Sequence, residues 1–435
     1  MTDLGIPDVG SDALRAWLSD NGISLDDQVT ATRIGGGQSN LTYLLTDGSG
    51  RRFVLRRPPV GHLLASAHDV AREARILSAL APTDVPVPEV YGVCTDEAVA
   101  PVPVVVMDFV DGISLEKKEN AELLPLPARR NVGTSMMETL AHIHAVDLDA
   151  TGLTDLASHK PYAQRQLKRW AAQWENSKTR EIPEVDSLTR RLAENVPEQH
   201  ETSLVHGDFH IRNVMVDPKT GDVQAALDWE LSTLGDPLAD IGSTLAYWPE
   251  VGEEIPGRFS AETMEGFPTP ADVAADYLRI TGRDPEALKY WRTLGLWKVA
   301  IIVEGVVRRV QDDPTNRAVV GAPAAELVNR FVDKASGAYK PNPLGVPLAE
   351  RALRMPDRRK ALTASLIMLG AIVSFQLMKL IHPETVAGDT WAGMAALAGS
   401  WIGGGANMVA MREVFGTDAT TFGQFAVVDV ACASL

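Results

Sequence analysis

The sequence predicts an α+β chain of two lobes, a small β-rich N-terminal lobe (1–110) and a larger, mainly helical C-terminal lobe (111–340), followed by an apolar helical tail (341–435). Three observations predict it. Short runs such as Arg52–Arg56, Val90–Cys94 and Val102–Met107 are rich in β-branched residues and bounded by Gly, Pro or Asp, as strands are. From Arg129 onward apolar residues recur at helical spacing, interrupted by one short hairpin between Leu204 and Glu230. Beyond Ala361 only about one residue in ten is charged, and Pro341, Pro343 and Pro347 mark the linker before that change.

Ser11–Ser19 opens the first lobe, with Leu14, Trp17 and Leu18 at helical spacing behind a cap, as a lid or brace. Ala31–Ile34 runs into Gly35, Gly36 and Gly37, and Leu41–Leu45 continues as a second strand. Glycine permits close backbone approach, so this turn is able to lay N–H groups over a phosphate; a plain tight hairpin is the alternative. Along Arg52–Arg56, alternation puts Val54 and Arg56 on one face and Arg57 on the other. Val70–Leu80 is amphipathic, with Val70, Ala74, Leu77 and Leu80 on one side and Glu73 available to pair with Arg56. Two more strands follow, and Asp108–Gly112 reads as the hinge between lobes.

In the second lobe, Arg129–His144 carries Val132, Met136, Leu140 and Ile143 at helical spacing. Tyr162–Trp174 is rich in Arg, Gln and Trp and reads two ways: a substrate-facing insertion, or an amphipathic helix with core aromatics. Leu204–Asp217 then holds His206, Gly207, Asp208 and, five residues after that aspartate, Asn213. A turn at Asp217–Gly221 joins it to Val223–Glu230, which contains Asp228. A hairpin centred near Lys219 and Thr220 makes Asn213 and Asp228 neighbours, so three oxygen-bearing side chains converge. Mg²⁺ prefers such hard oxygen ligands, typically one or two carboxylates plus substrate phosphates. The spacing is that of the protein-kinase catalytic loop.

His206-Gly-Asp-Phe-His-x-x-Asn213, Asp228-Trp-Glu and Gly235-Asp-Pro-x-x-Asp240 resemble the aminoglycoside phosphotransferase and choline kinase superfamily over roughly residues 25–335. The resemblance implies a bilobal protein-kinase-like fold that uses ATP and Mg²⁺ to phosphorylate a small-molecule hydroxyl. Asp208 would orient or deprotonate that hydroxyl, and Asn213 and Asp228 would hold the metal. Arg56 would steady the nucleotide phosphates where kinases use Lys, set by Glu73, with Gly35–Gly37 over the phosphates and backbone near Met107 to Phe109 at the adenine. His142 and His144 would be core or cap residues. Asp236 and Asp240 are expected as structural caps, since Pro237 suits a first helical position. Helical runs around Trp291, Trp297 and Glu304 would line the acceptor pocket.

Arg56-Arg-Pro-Pro59, Leu63–His68 and Val85-Pro-Val-Pro88 resemble the kinase-like domain found ahead of certain acyl-CoA dehydrogenases, implying a hydroxyacyl-CoA or related hydroxy-acid acceptor. An aminoglycoside or choline-like amino-alcohol is the other acceptor class. A pseudokinase-like nucleotide-binding module is the alternative outside catalysis, because Arg56 replaces the usual Lys.

A formal net charge of −16 argues against a nucleic-acid binder. Cys94 and Cys432 form neither a metal nor a disulfide pattern and fit a reducing cytoplasm. The N-terminus lacks signal-peptide features, so a cytoplasmic kinase part is expected. Ala361–Ile381 is long and apolar enough to span a bilayer, behind the basic stretch Arg351–Lys360. Gly399–Asn407 resembles part of a family of uncharacterised bacterial integral membrane proteins. The tail reads as a membrane hairpin, as buried packing helices, or as a fragment fused to a complete kinase.

Overall fold

The computed structural model describes residues 5–339, apart from 8, 27, 35–39, 61–68, 159, 251–252, 254–258 and 313–324. Gly35, Gly36, Gly37, the Leu63–His68 stretch and the whole tail lie outside the described residues.

In the first lobe α1 (Ser11–Asp20) precedes β1 (Thr30–Ile34), β2 (Leu41–Thr46) and β3 (Arg52–Arg57); α2 (Val70–Leu80), β4 (Val90–Cys94) and β5 (Val104–Asp108) follow. These strands make one antiparallel sheet in the order β1-β2-β3-β5-β4. Strand β5 is buried on both faces, which is why it reads Val-Val-Val-Met. Val104 and Val106 pack with Leu14 and Leu18 of α1, while Val105 and Met107 join the core shared with α2 and the second lobe. Each fully buried leucine here contributes about 2 kcal/mol of transfer free energy, so α1 is a brace on the sheet. Arg57 points away from Arg56, as alternation requires, and is itself buried, donating to the carbonyl of Pro7 at 2.6 Å.

The chain crosses lobes between β5 and β6 (Ile113–Ser114), which pairs with a strand of the second lobe. That lobe continues with α3 (Lys118–Leu123), α4 (Leu126–His144), α5 (Tyr162–Ser177), α6 (Pro183–Glu194), β7 (Ser203–Val205), β8 (Val214–Val216), β9 (Val223–Ala226) and β10 (Thr233–Gly235). It ends with α7 (Pro237–Tyr247), α8 (Pro270–Thr281), α9 (Pro285–Asp312) and α10 (Ala325–Tyr339). Among the described residues no helix is long and apolar enough to cross a membrane.

Helices α7 and α9 cross through a glycine pair. A Cβ on Gly295 would lie 2.6 Å from the carbonyl oxygen of Gly242, and one on Gly242 would lie 2.5 Å from the Trp291 carbonyl. This contact sets how near α9 comes to the loop after β7. Gly295→Val is expected to lower stability by about 3 kcal/mol through overpacking, read as a shift of the denaturant midpoint. An unchanged midpoint would show that the crossing is loose.

Candidate active site

The hairpin forms where the sequence places it. The Asp217 carboxylate accepts from the backbone N–H groups of Lys219 at 2.7 Å and Thr220 at 3.0 Å, which shapes the turn. Strand β8 then pairs with β9 from Val214↔Ala226, and the Leu227 N–H donates to the Asn213 carbonyl at 2.8 Å. Asn213 therefore stands beside the residue preceding Asp228. Its side-chain Nδ2 donates to the Asp208 carbonyl at 2.9 Å and lies 3.3 Å from Asp208 Oδ2, so these contacts leave the amide oxygen free for other partners.

Asp228 adopts φ 67° and ψ 62°, and among the described residues it alone has positive φ without being glycine. Asp tolerates this left-handed conformation better than a branched residue, at a cost of about 1–3 kcal/mol. The turn breaks the strand and leaves the Asp228 side chain 37% exposed.

Arg56 links the lobes. Its Nη1 lies 3.2 Å from Glu73 Oε1 and its Nη2 3.0 Å from Asp228 Oδ1. Burial works against the guanidinium cation, but Glu73 and Asp228 outweigh it and hold Arg56 charged. Glu73 is 3% exposed, and its carboxylate also accepts from the Trp229 N–H at 3.3 Å. Arg72, one residue earlier on α2, donates to the carbonyls of Glu230 and Ser232. Helix α2 thus grips the segment after Asp228 at two points.

Burial pushes the Glu73 carboxyl up to about 7, with Arg56 pulling it down. A carboxyl raised above its unfolded value stabilises the fold fully below about 4.5 and loses that contribution as pH rises through about 7. The nucleotide-free protein is therefore expected to lose more of its melting temperature than Glu73→Gln between about pH 5 and pH 8. Parallel pH curves for the two would remove Glu73 as the source.

The loop carrying Asp208 is held from below. Asp240, 1% exposed, accepts from the backbone N–H of His206 at 2.5 Å and of Gly207 at 2.8 Å, and lies 3.3 Å from His144 Nε2. Asp240 was expected to cap its helix. It instead braces the loop, because the first turn of α7 runs directly beneath it, and Asp236 alone supplies the cap by accepting from Leu238 N–H at 2.9 Å. His144 is a buried core residue whose Nδ1 lies 2.7 Å from the Tyr277 hydroxyl, and burial lowers its basicity. His206 is also fully buried; its Nε2 faces the Leu227 carbonyl at 3.0 Å and its Nδ1 the Asp208 N–H at 3.4 Å, which suits a neutral ring donating through Nε2. Gly207 has φ +84°, and a Cβ there would lie 2.5 Å from the Leu231 carbonyl oxygen.

Asp208 itself is ionised. Burial disfavours its charge, but the His210 imidazole 3.4 Å away, together with Lys298, holds its carboxyl at about 2. Lys298 is the residue that sequence reasoning missed. It comes from α9, and its Nζ donates to the Gly207 carbonyl at 3.4 Å and lies 5.4 Å from the Trp170 ring. The available signal was one cation in the apolar run Leu294–Ile302.

Of the expected adenine contacts, Met107 lies within the sheet, paired with both Val54 and Val90, and its side chain is buried. The backbone leaves the ladder after Asp108, and Phe109 begins the crossing between lobes. Its ring lies under the Arg52 guanidinium at 4.3 Å. Among the described residues no group of three His, Cys, Asp or Glu is disposed to hold a metal ion. Asn213 and Asp228 instead offer a two-residue oxygen set, which suits Mg²⁺ because that ion completes its shell with water and phosphate oxygens.

A basic residue fixed by a helix glutamate in a strand-rich lobe, above a loop presenting Asp208, Asn213 and Asp228, belongs to phosphotransferases of kinase-like fold. Residues 30–291 match the phosphotransferase enzyme family (APH), and the chain belongs to it. A solved structure of a putative aminoglycoside phosphotransferase from Ralstonia eutropha JMP134 superposes with a TM-score of 0.63 at 31% identity, covering 75% of this chain and 98% of that one. The mouse (Mus musculus) acyl-CoA dehydrogenase family member 10 is 38% identical over 277 residues, 63% of this chain and 26% of that protein. The probable acyl-CoA dehydrogenase IBR3 of Arabidopsis thaliana is 35% identical over 324 residues, 68% of this chain and 39% of that protein. The chain thus spans well under half the length of these curated relatives. Residues 361–435 match a second family, a protein of unknown function (DUF819), as the tail's resemblance implied.

Proposed function

We propose that this chain transfers the γ-phosphoryl group of ATP to a hydroxyl of a small molecule, with Mg²⁺. The observation that carries the proposal is Asn213 held against Asp208 and beside the residue preceding Asp228, which itself meets the Arg56–Glu73 pair. Asp208 would orient the acceptor hydroxyl and take its proton as the oxygen attacks phosphorus, with ADP as the leaving group. Asn213 and Asp228 would hold the metal, which supplies charge neutralisation on the phosphate oxygens. Arg56 offers a planar fork where a Lys would offer a point charge, and Glu73 fixes its orientation. Gly35–Gly37 are assigned to the phosphates and Phe109 to the adenine edge.

Two acceptor classes follow. An aminoglycoside or choline-like amino-alcohol is supported by the family and by the solved relative named as a putative aminoglycoside phosphotransferase. A hydroxyacyl-CoA or related hydroxy acid is supported by the relatives named as acyl-CoA dehydrogenases and by the lysine beside Asp208. An ATP-consumption screen over both classes, with Asp208→Asn as control, tests the reading. Turnover that requires an acceptor and disappears in the control is expected. No turnover with any acceptor, or turnover indifferent to the substitution, would overturn it.

A further inference from the structure

A recess opens between α5, α7 and α9, lined by Tyr162, Gln166, Trp170, Ser243, Trp291 and Lys298. Its walls combine the rings of Tyr162, Trp170 and Trp291 with small and polar residues, and Lys298 is its cation. Among the described residues Lys298 makes no ion pair, and its one hydrogen bond, to the Gly207 carbonyl, is 3.4 Å long. An ammonium has three donors, and a partly buried one with a single long bond retains capacity for an incoming oxygen. Burial works against the charge on Lys298 and lowers its basicity, while Asp208 and Asp240 favour that charge through space, beyond ion-pair contact.

The carbonyl that Lys298 touches belongs to the residue immediately before Asp208. On the proposed reading, an acceptor whose hydroxyl reaches Asp208 would bring its neighbouring atoms within a few bonds of Lys298. An oxygen bearing full or partial negative charge in that position completes the lysine's hydrogen bonding. An ammonium there meets a like charge beside aromatic walls, where repulsion is weakly screened. The crossing at Gly242 and Gly295 fixes this arrangement, since Lys298 follows Gly295 by less than one helical turn.

We infer that Lys298 is a specificity-determining residue, selecting acceptors that carry a carboxylate or carbonyl oxygen close to the reacting hydroxyl and rejecting those with an amine there. The inference rests on the proposed phosphotransferase reading for where the acceptor sits. It goes beyond that reading by giving one residue the choice between the two acceptor classes. Arg165 and Arg169, also on α5, do not make this selection: Arg165 is spent on the Leu234 carbonyl at 2.6 Å, and Arg169 is exposed at the side of Trp170.

The test uses probes that lack a hydroxyl, so binding is read without turnover. Hexanoate, S-hexanoyl-N-acetylcysteamine and hexylamine are titrated calorimetrically into the full chain and into Lys298→Met and Lys298→Glu. The wild type is expected to prefer one or both oxygen-bearing probes to the amine by about 10- to 100-fold. The free acid and the thioester separate a carboxylate from a carbonyl as the group recognised. Lys298→Met should lose the preference and Lys298→Glu should reverse it, with nucleotide binding retained in both as the check on folding. If Lys298→Met fails that check, Lys298→Gln carries the same comparison.

Equal binding of all three probes, undetectable binding of both oxygen probes, or a preference unchanged in the neutral variant would each overturn the inference. Failure of the phosphotransferase reading shows itself separately, as absence of ATP turnover with every hydroxylated acceptor.

Discussion

Asp208→Asn is expected to lower kcat by about 10²- to 10⁴-fold, the range for losing a positioned general base, while nucleotide affinity changes little. The substitution is close to isosteric. The Asn213 side chain keeps its bond to the backbone carbonyl at position 208, so the loop retains its shape. What is lost is an acceptor held ionised by His210 and Lys298. Steady-state kinetics with saturating acceptor, beside an independent nucleotide titration, separate the two effects. A variant that keeps wild-type kcat would place the chemistry elsewhere.

The other large effect belongs to Asp240. Asp240→Ala removes the acceptor shared by two backbone N–H groups and by His144, all buried. Leaving buried donors unsatisfied costs about 1–3 kcal/mol for each group. Equilibrium unfolding should show that loss, and activity should fall even where the variant remains folded, because the loop ahead of Asp208 is no longer pinned. Asp240→Asn should do less damage to stability, since one oxygen remains to accept. If Asp240→Ala matches the wild type in both measurements, the loop is held by other contacts, such as Thr244 Oγ1 donating to the Phe209 carbonyl.

Much of this was legible in the sequence for local reasons. The hairpin follows from a turn signal between two apolar runs, and the neighbourhood of Asn213 and Asp228 follows from the hairpin. The choice of Arg56 over Arg57 needed only strand alternation, and Arg57 is buried on the opposite face. The Asp240 brace was not legible, because a helix-start aspartate looks the same whether it caps its own helix or holds a loop packed against it. Lys298 was hidden for a related reason. Its meaning depends on a crossing between helices far apart in the chain, and only the glycine pair hints at how close they come. The adenine contact at backbone near Met107 to Phe109 came from the resemblance alone, since side-chain identity carries no signal for a backbone contact.

Arg56 is shared between a carboxylate of its own lobe and one of the other. The same guanidinium therefore serves as temporary counter-ion to a residue assigned to the metal. On the proposed reading, Asp228 would turn to the metal and Arg56 to the nucleotide phosphates, so loading the site would be an exchange of partners in which neither charge is left bare.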